Sequence, residues 1–448
     1  MTSGAERAGR GAGRDYDQLV QRSRVHRSVY VDGDIFAEEM RKIFGAVWTY
    51  LGHESEIPEA NDFKATRLGL RPVLLTRAQD GSIHALLNRC MHRGTVVCTA
   101  ASGNARSFTC SYHGWTYSNT GKLTGVPFPG GTGPDFDRSE LSLLALPQVE
   151  SYRGFIFGVL DAKAPSLREY LGPAAALLDE WIGGGRSRRL VLRHGARRIA
   201  ANANWKLYLD GAADGLHPLF THRSFIELCS SRYRPGLFLS EFRRDPDDSE
   251  MYSQIMPNGH QYLDQRPSMT PTRWSAARPM PGMEHGVERI RATHGERADA
   301  VLEQAAFAGM NIFIFPNLSL VDNNIGVIQP VAANRTEIHW YPVTLSDQLD
   351  ETLALRMRNG EDSDNFVNVD DVENWERAQE GLENVPEAEW LHTGRGIGTS
   401  EPYDESQGVA TVAITNEEPM RAYQQVWKRL MQAPAPSLSG VAEGSVPA

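Results

Sequence analysis

The chain has 448 residues, a net charge of −10, 41% hydrophobic residues and 23% charged residues. That length suits about two to three domains with a sizeable core, and an acidic balance without a basic patch argues against nucleic acid as a partner. No run of about 18 apolar residues predicts a membrane span. Residues 1–15 alternate Gly, Ala, Arg and Glu, lack the apolar stretch of a secretory signal, and read as a disordered arm. The four cysteines, Cys90, Cys98, Cys110 and Cys229, are too few for a disulfide scaffold in so long a chain. The expected setting is a reducing cytoplasm, where clustered Cys and His point to metal.

In chain order, residues 35–44 carry a helical pattern, with Ile35, Met40, Ile43 and Phe44 on one face. From Trp48 the texture turns to short alternating segments, among them 72–76, 83–87 and 154–160, punctuated by Gln79-Asp80-Gly81 and Asn119-Thr120-Gly121. This predicts a small all-β module over 46–161, preceded by an arm and helix (1–45) that pack with the later domain. Residues 166–181 read as helix. Further strands are expected at 311–315, 326–329 and 337–342, rich in β-branched and aromatic residues. Residues 358–364 read as a loop. The stretch 243–298, rich in Pro, Met, Asp and Arg, reads as an irregular insertion that serves as a lid or subunit contact. The second domain is expected over 162–432, followed by a disordered tail, 433–448.

The β module contains Cys90-Met91-His92 and, after 17 intervening residues, Cys110-Ser111-Tyr112-His113. Each loop offers one thiolate and one imidazole. Replacing two Cys ligands of a 2Fe–2S cluster by His on one iron removes negative charge and raises the potential. A zinc cage is the competing reading of two Cys and two His. Zinc fingers, however, usually present a Cys pair and then a His pair, whereas each loop here mixes the two. Gly94 and Gly114-Trp115 also suit a shielded redox centre, glycine for close backbone approach and indole to exclude water. Cys98 and Cys229 lack partner motifs and read as buried thiols.

Downstream the chain reads Asp214-Gly215-Leu216-His217-Pro218, with His222 five residues beyond His217. On a helix Asp214 and His217 share a face. Pro218 disfavours the α region at His217, so the helix is expected to break there and let His222 swing back. Two imidazoles and one carboxylate form a facial triad that leaves coordination positions open for O₂. The competing reading is a capped helix with surface histidines. The carboxylate is sought in Asp370-Asp371-Val372-Glu373, where Asp370 with Glu373 fits a capping box for a helix to about Leu382 and Asp371 falls in the first turn. Complementing the helix dipole is the alternative use of these acids. Spacing alone does not choose among Asp370, Asp371 and Glu373.

With these motifs the chain resembles the α subunits of Rieske non-haem iron aromatic-ring-hydroxylating dioxygenases, in the benzoate-dioxygenase group. The likeness spans residues 35–431 and includes Val47-Trp48-Thr49-Tyr50-Leu51-Gly52-His53-Glu54, Leu87-Asn88-Arg89-Cys90-Met91-His92-Arg93-Gly94 and Ser111-Tyr112-His113-Gly114-Trp115. The resemblance implies that Cys90, His92, Cys110 and His113 hold the cluster. It makes His217, His222 and Asp371 the ligands of a mononuclear Fe(II), and Asp214 a bridging acid between the two centres, hydrogen-bonded to His113 of a neighbouring subunit. It implies an α+β fold, a small all-β Rieske domain beside a larger domain whose helices wrap an antiparallel sheet. It further implies trimers, a small β subunit, and a reductase, with or without a ferredoxin, passing electrons from NAD(P)H. Asp210-Gly211 replaces the Glu-Asn of many relatives, and Leu216 replaces an aromatic residue.

The expected reaction is O₂-dependent cis-dihydroxylation of an aromatic acid, with Arg223 or Arg395 available to pair with a carboxylate. A monooxygenase or oxidative demethylase on the same scaffold is the runner-up. A pure Rieske electron carrier is disfavoured by the roughly 280 residues that follow the β module, well beyond one typical domain.

Overall fold

The computed structural model describes residues 14–133, 135–183, 189–192, 195–224, 227, 250–266, 284–305, 309–346, 352–357 and 367–436. Helix α1 (Gly33–Lys42) starts where the Asp32 side chain accepts from the Asp34 and Ile35 amides, and it buries Ile35, Phe36 and Met40. The end of the N-terminal arm is held: Arg14 pairs with Asp32 at 2.6 Å and Asp15 caps the turn Tyr16–Leu19. Residues 1–13 lie outside the described residues. The short strand Val20–Gln21 pairs with Arg24–His26, which pairs in turn with Trp390–His392 and ties the arm to the far end of the chain.

The β module comprises β1 (Thr49–His53), β2 (Asp62–Leu68), β3 (Arg71–Arg77), β4 (Ile83–Leu87), β5 (Ser102–Asn104), β6 (Ser107–Thr109), β7 (Thr116–Ser118), β8 (Leu123–Gly125), β9 (Gln148–Tyr152) and β10 (Phe155–Val159). They form antiparallel sheets ordered β4-β3-β2-β5, β8-β7-β6 and β9-β10-β1. The two expected turns carry their glycines at φ 88° (Gly81) and φ 90° (Gly121), backbone that other residues adopt only with strain. The stretch read as one helix over 166–181 is two, α2 (Leu167–Leu171) and α3 (Ala174–Trp181). Gly172, at φ 49°, and Pro173 break it.

The larger part of the chain is built on an eight-stranded antiparallel sheet. Its strands are β11 (Arg197–Ala201), β12 (Tyr252–Ile255), β13 (Gln261–Asp264), β14 (Met310–Ile314), β15 (Leu318–Val321), β16 (Asn324–Ala332), β17 (Arg335–Pro342) and β18 (Ala410–Ala413), ordered β11-β17-β16-β15-β14-β13-β12-β18. Helices α4 (Trp205–Gly211), α5 (Pro218–Thr221), α6 (Glu284–His294), α7 (Ala298–Ala305), α8 (Asn368–Asn384) and α9 (Glu418–Gln432) accompany it. The fold is therefore α+β, as expected. The supposed insertion over 243–298 is corrected: its described part supplies β12 and β13, inside the sheet, and α6. All four residues of β13 are buried, so no polar alternation marks it as a strand. Residues 243–249 and 267–283, the expected loop 358–364 and the tail beyond 436 lie outside the described residues.

One buried cluster fixes α4 against its neighbours. Glu39 is fully buried and accepts from Trp205 Nε1 (2.8 Å), Lys206 Nζ (2.6 Å) and Trp427 Nε1 (2.7 Å), joining α1, α4 and α9. Removing one partner of such a pair leaves an uncompensated buried charge, a cost of about 3–5 kcal/mol.

Candidate active site with two metal centres

The two Cys–His loops have the same backbone design. In the first, Cys90 N donates to Thr95 O (2.8 Å) and Gly94 N to Cys90 O (2.9 Å); in the second, Cys110 N donates to Trp115 O (2.8 Å) and Gly114 N to Cys110 O (2.9 Å). Each tight loop needs a left-handed residue, supplied by Gly94 (φ 79°) and Gly114 (φ 71°). A Cβ on Gly114 would also lie 2.9 Å from Pro127 Cγ. Asn88 accepts from the Val97 and Cys98 amides, both at 3.0 Å, and pins the first loop.

Cys90 and Cys110 are buried, while His92 and His113 are partly exposed at the module's edge, their rings 4.5 Å apart. Trp115 stacks on His92 at 4.8 Å and Tyr112 lies against His113 at 3.8 Å. Burial acts to raise the Cys90 thiol, but hydrogen bonds from Tyr117, the His92 and Arg93 amides and Cys110 outweigh it and hold it below its ordinary value. A depressed thiol pKa suits a thiolate ligand. His92 Nδ1 is buried without a hydrogen-bond partner. Two shielded thiols, an orphaned imidazole nitrogen and a neighbouring imidazole fit a mixed Cys–His cluster. Sequence reasoning missed Tyr117: it accepts from the Met91 amide at 3.1 Å and meets Cys90 Sγ at 3.3 Å. Its signal was alternation, since Trp115 and Tyr117 stand two residues apart and both are buried. Cys98 is half-buried rather than buried, and Cys229 lies outside the described residues.

The second centre is assembled where α4 ends. The Asn204 side chain caps α4, and five consecutive residues, Trp205 to Leu209, are buried. The helix stops at Gly211, so Asp214 and His217 do not share a helical face as expected; a turn brings them together. In that turn Leu216 N donates to Asp214 Oδ1 (2.7 Å) and Gly215 N to Ile414 O (3.0 Å). The expected exclusion of His217 from the α region is also corrected, because its φ of −58° and ψ of −34° are helical. Pro218 is the first residue of α5, where its missing N–H costs nothing, and the His217 carbonyl accepts from Thr221 N at 2.8 Å.

His217, His222 and Asp371 each present a ligand atom, all within 4.8 Å of one another. Asp371 Oδ1 lies 3.6 Å from His217 Nε2 and 3.3 Å from His222 Nε2. Asp370 sits on the other side of His222, its Oδ2 3.5 Å from Nδ1, and so stays out of the triad. The expected Asp370–Glu373 capping box is absent: α8 begins at Asn368 after Val367, with no side-chain cap, and both Asp370 and Asp371 fall in the first turn. Asp214 Oδ2 faces His217 Nδ1 at 3.3 Å. Both outer nitrogens, His217 Nδ1 and His222 Nδ1, are in ion-pair range of a carboxylate but lack an aligned hydrogen bond. Ligating histidines commonly direct their second nitrogen at a carboxylate in this way. Burial lowers His217, yet Asp214 and Asp371 outweigh it and hold the imidazole above its ordinary pKa. The donor set fits a facial-triad iron site. Arg223 is exposed and pairs with Glu227 at 2.8 Å, and Arg395 Nε donates to Thr415, so both guanidinium groups are engaged.

A family model described as the ring hydroxylating alpha subunit (catalytic domain) matches residues 188–433. The chain belongs to this family of ring-hydroxylating α subunits. A second model, the Rieske [2Fe-2S] domain, matches residues 47–149. The α subunit is 33% identical to the toluate 1,2-dioxygenase subunit alpha of Pseudomonas putida, over 83% of each chain. It is 32% identical to the 2-halobenzoate 1,2-dioxygenase large subunit of Burkholderia cepacia, over 83% of this chain and 80% of that one. Among solved structures, a naphthalene 1,2-dioxygenase bound to phenanthrene superimposes with a TM-score of 0.76 at 25% identity, covering 94% of this chain and 96% of the other. This α subunit is an oxidoreductase of aromatic rings that carries one 2Fe–2S cluster and one mononuclear iron per chain. It acts as an oxygenase component with O₂ and electrons from a reductase. Among the described residues no helix is long and apolar enough to cross a membrane.

Proposed function

We propose that this α subunit dihydroxylates the ring of an aromatic acid to a cis-diol, and that its two metal centres are held by the residues described above. Cys90, His92, Cys110 and His113 would hold the cluster, and His217, His222 and Asp371 the iron. The observation that carries the reading is the meeting of His217, His222 and Asp371 beside Asp214, far in sequence from the Cys–His loops. An electron carrier needs no such second site. The preference for an acid is supported by relatives named for toluate, 2-halobenzoate and anthranilate.

Within this reading the two centres together supply the electrons and the site of O₂ activation. The protein's own part is positional. Trp115 and Tyr112 cover the two cluster imidazoles, and Tyr117 holds Cys90 as a thiolate. Asp371 and Asp214 orient His217 from opposite sides. We assign Asp214 as the link between centres, reaching His113 of a neighbouring subunit in a trimer that also holds a small β subunit. A reductase, with or without a ferredoxin, supplies electrons from NAD(P)H in the cytoplasm.

Turnover of benzoate, toluate, anthranilate and an uncharged arene under ¹⁸O₂ tests the reaction. A cis-diol of an aromatic acid carrying both labelled atoms is expected. Incorporation of one atom with loss of a methyl group, or a preference for the uncharged arene, contradicts it. Electron paramagnetic resonance of the reduced protein tests the cluster ligands: the average g should fall clearly below that of an all-cysteine cluster, and an all-cysteine signature contradicts the assignment.

A further inference from the structure

With Arg223 paired to Glu227 and Arg395 donating to Thr415, the carboxylate of an aromatic acid needs a different donor. The register of the eight-stranded sheet supplies one. Ser253, Leu263, Asn311, Val321, Asn324 and Pro342 are successive cross-strand partners from β12 to β17, so their side chains form one row on one face. That face carries the turn that leads to His217. Ser253 Oγ donates to Ala213 O at 3.0 Å, and Leu263 packs in one apolar cluster with Ile414 and Leu219. Two residues along β14 and β15, Tyr208 of α4 covers the same face. Its ring lies 6.3 Å from Phe313, and its Oη donates to Ser319 Oγ at 2.7 Å.

Burial along the row is uneven. Ser253, Leu263 and Asn324 are buried, whereas Asn311 and Val321, neighbours on the two central strands, stay partly exposed. Residues in the middle of a covered sheet keep accessible surface only where they border open space. Asn311 is the polar member of that pair, and among the described residues its side chain takes part in no hydrogen bond. Val321, directly opposite it, presents an apolar wall. The row holds no Arg, Lys or His, so its donors are neutral.

We propose that Asn311 receives the carboxylate of the substrate, its amide Nδ2 donating to a carboxylate oxygen while the ring lies against Val321. This inference rests on the aromatic-acid reading above, and it makes Asn311 the residue that separates acids from uncharged arenes. A hydrogen bond to a charged acceptor is about twice as strong as a neutral one, and it strengthens further where water is excluded. An uncharged arene offers the amide no acceptor. Binding it strips water from the amide N–H groups and leaves them without a partner, a cost that discriminates against the arene.

The test measures binding of benzoate, benzamide and toluene to the metal-loaded protein by titration calorimetry, without reductant. Iron content and the cluster spectrum verify each variant. The wild type should bind benzoate more tightly than benzamide or toluene. Asn311→Leu, close in volume, should weaken benzoate about tenfold to a hundredfold and tighten toluene. Asn311→Asp keeps the shape but repels a carboxylate, and should bind benzamide more tightly than benzoate. Should the Leu variant fail to load its metals, the Asp variant, of unaltered shape, decides. The wild-type order of affinities in either loaded variant overturns the proposal. Where the wild type favours benzoate, that result counts against Asn311 alone, whereas a wild type that prefers toluene to benzoate counts against the aromatic-acid reading itself.

Discussion

Replacing Gly215 by alanine perturbs the iron site without touching a ligand. The turn 212–216 presses against the segment after β18, where Gly215 N donates to Ile414 O at 3.0 Å. A Cβ on Gly215 would overlap Ile414 Cγ1, lie 2.6 Å from Cδ1 and lie 2.9 Å from the Ile414 carbonyl oxygen. Ordinary contact begins near 3.4 Å, so the backbone must part by about 0.5 Å even if the side chain yields completely. Metal–ligand distances tolerate about 0.2 Å, and overpacking of this kind costs about 1–3 kcal/mol. The fold should survive, with His217 and Asp214 displaced together. Gly215→Ala should thus retain the cluster's visible spectrum and lose most mononuclear iron and activity. Gly211→Ala is the control, since its Cβ meets nothing within 4 Å. Ile414→Ala in the Gly215→Ala background should recover part of the iron. Iron content measured after anaerobic reconstitution reads all four proteins. A Gly215→Ala enzyme with full iron and wild-type turnover refutes the claim that this contact sets the ligand geometry.

Asp371→Ala should lose mononuclear iron while keeping the cluster spectrum, and Asp370→Ala should keep most of its iron; the reverse outcome in metal analysis means the neighbouring acid is the ligand. Asp214→Asn retains the acceptor for the Leu216 amide but removes charge beside His217. Both metals should stay bound while cluster oxidation slows by about tenfold or more, and an unchanged rate makes Asp214 a structural acid only. His260 is fully buried, accepts from Phe315 N (3.2 Å) through Nδ1 and donates to Tyr170 O (3.0 Å) through Nε2, and burial lowers it to about 4. The unfolded chain, with an ordinary His pKa near 6.5, takes up this proton first. His260 therefore contributes stability above about 6.5 that is lost as pH falls toward 4, on the order of 3 kcal/mol. The melting temperature of His260→Gln should depend less steeply on pH across that window than the wild type's, and equal slopes contradict the assignment.

The legible parts of the site were those written locally in the chain. Each cluster loop keeps its Cys and His within four residues, and the glycines that close the loops are adjacent to them. The hairpin strands of the β module were equally plain, since turn residues flank each apolar run. Asp371 was different. Its choice over Asp370 depends on how the first turn of α8 faces α5, a tertiary fact that a run of acids does not contain. The path from Asp214 to His217 is not legible in the spacing, because α4 stops at Gly211, before Asp214, and Pro218 begins a new helix instead of ending the old one. Strand β13 was hidden because a strand buried on both faces shows no alternation, and Glu39 is one acid among several on α1 that only tertiary contact with Lys206, Trp205 and Trp427 singles out.

In the proposed function, electrons held at the Cys–His cluster are spent on ring hydroxylation at the His217–His222–Asp371 site. A single turnover measures this directly. The reduced, metal-loaded protein is mixed with an aromatic acid and O₂, without a reductase, while cluster absorbance and product are followed together. Oxidation of the cluster in step with cis-diol formation, and little oxidation without the aromatic acid, is the predicted result. A cluster that stays reduced, or that oxidises without forming diol, contradicts this coupling of the two centres.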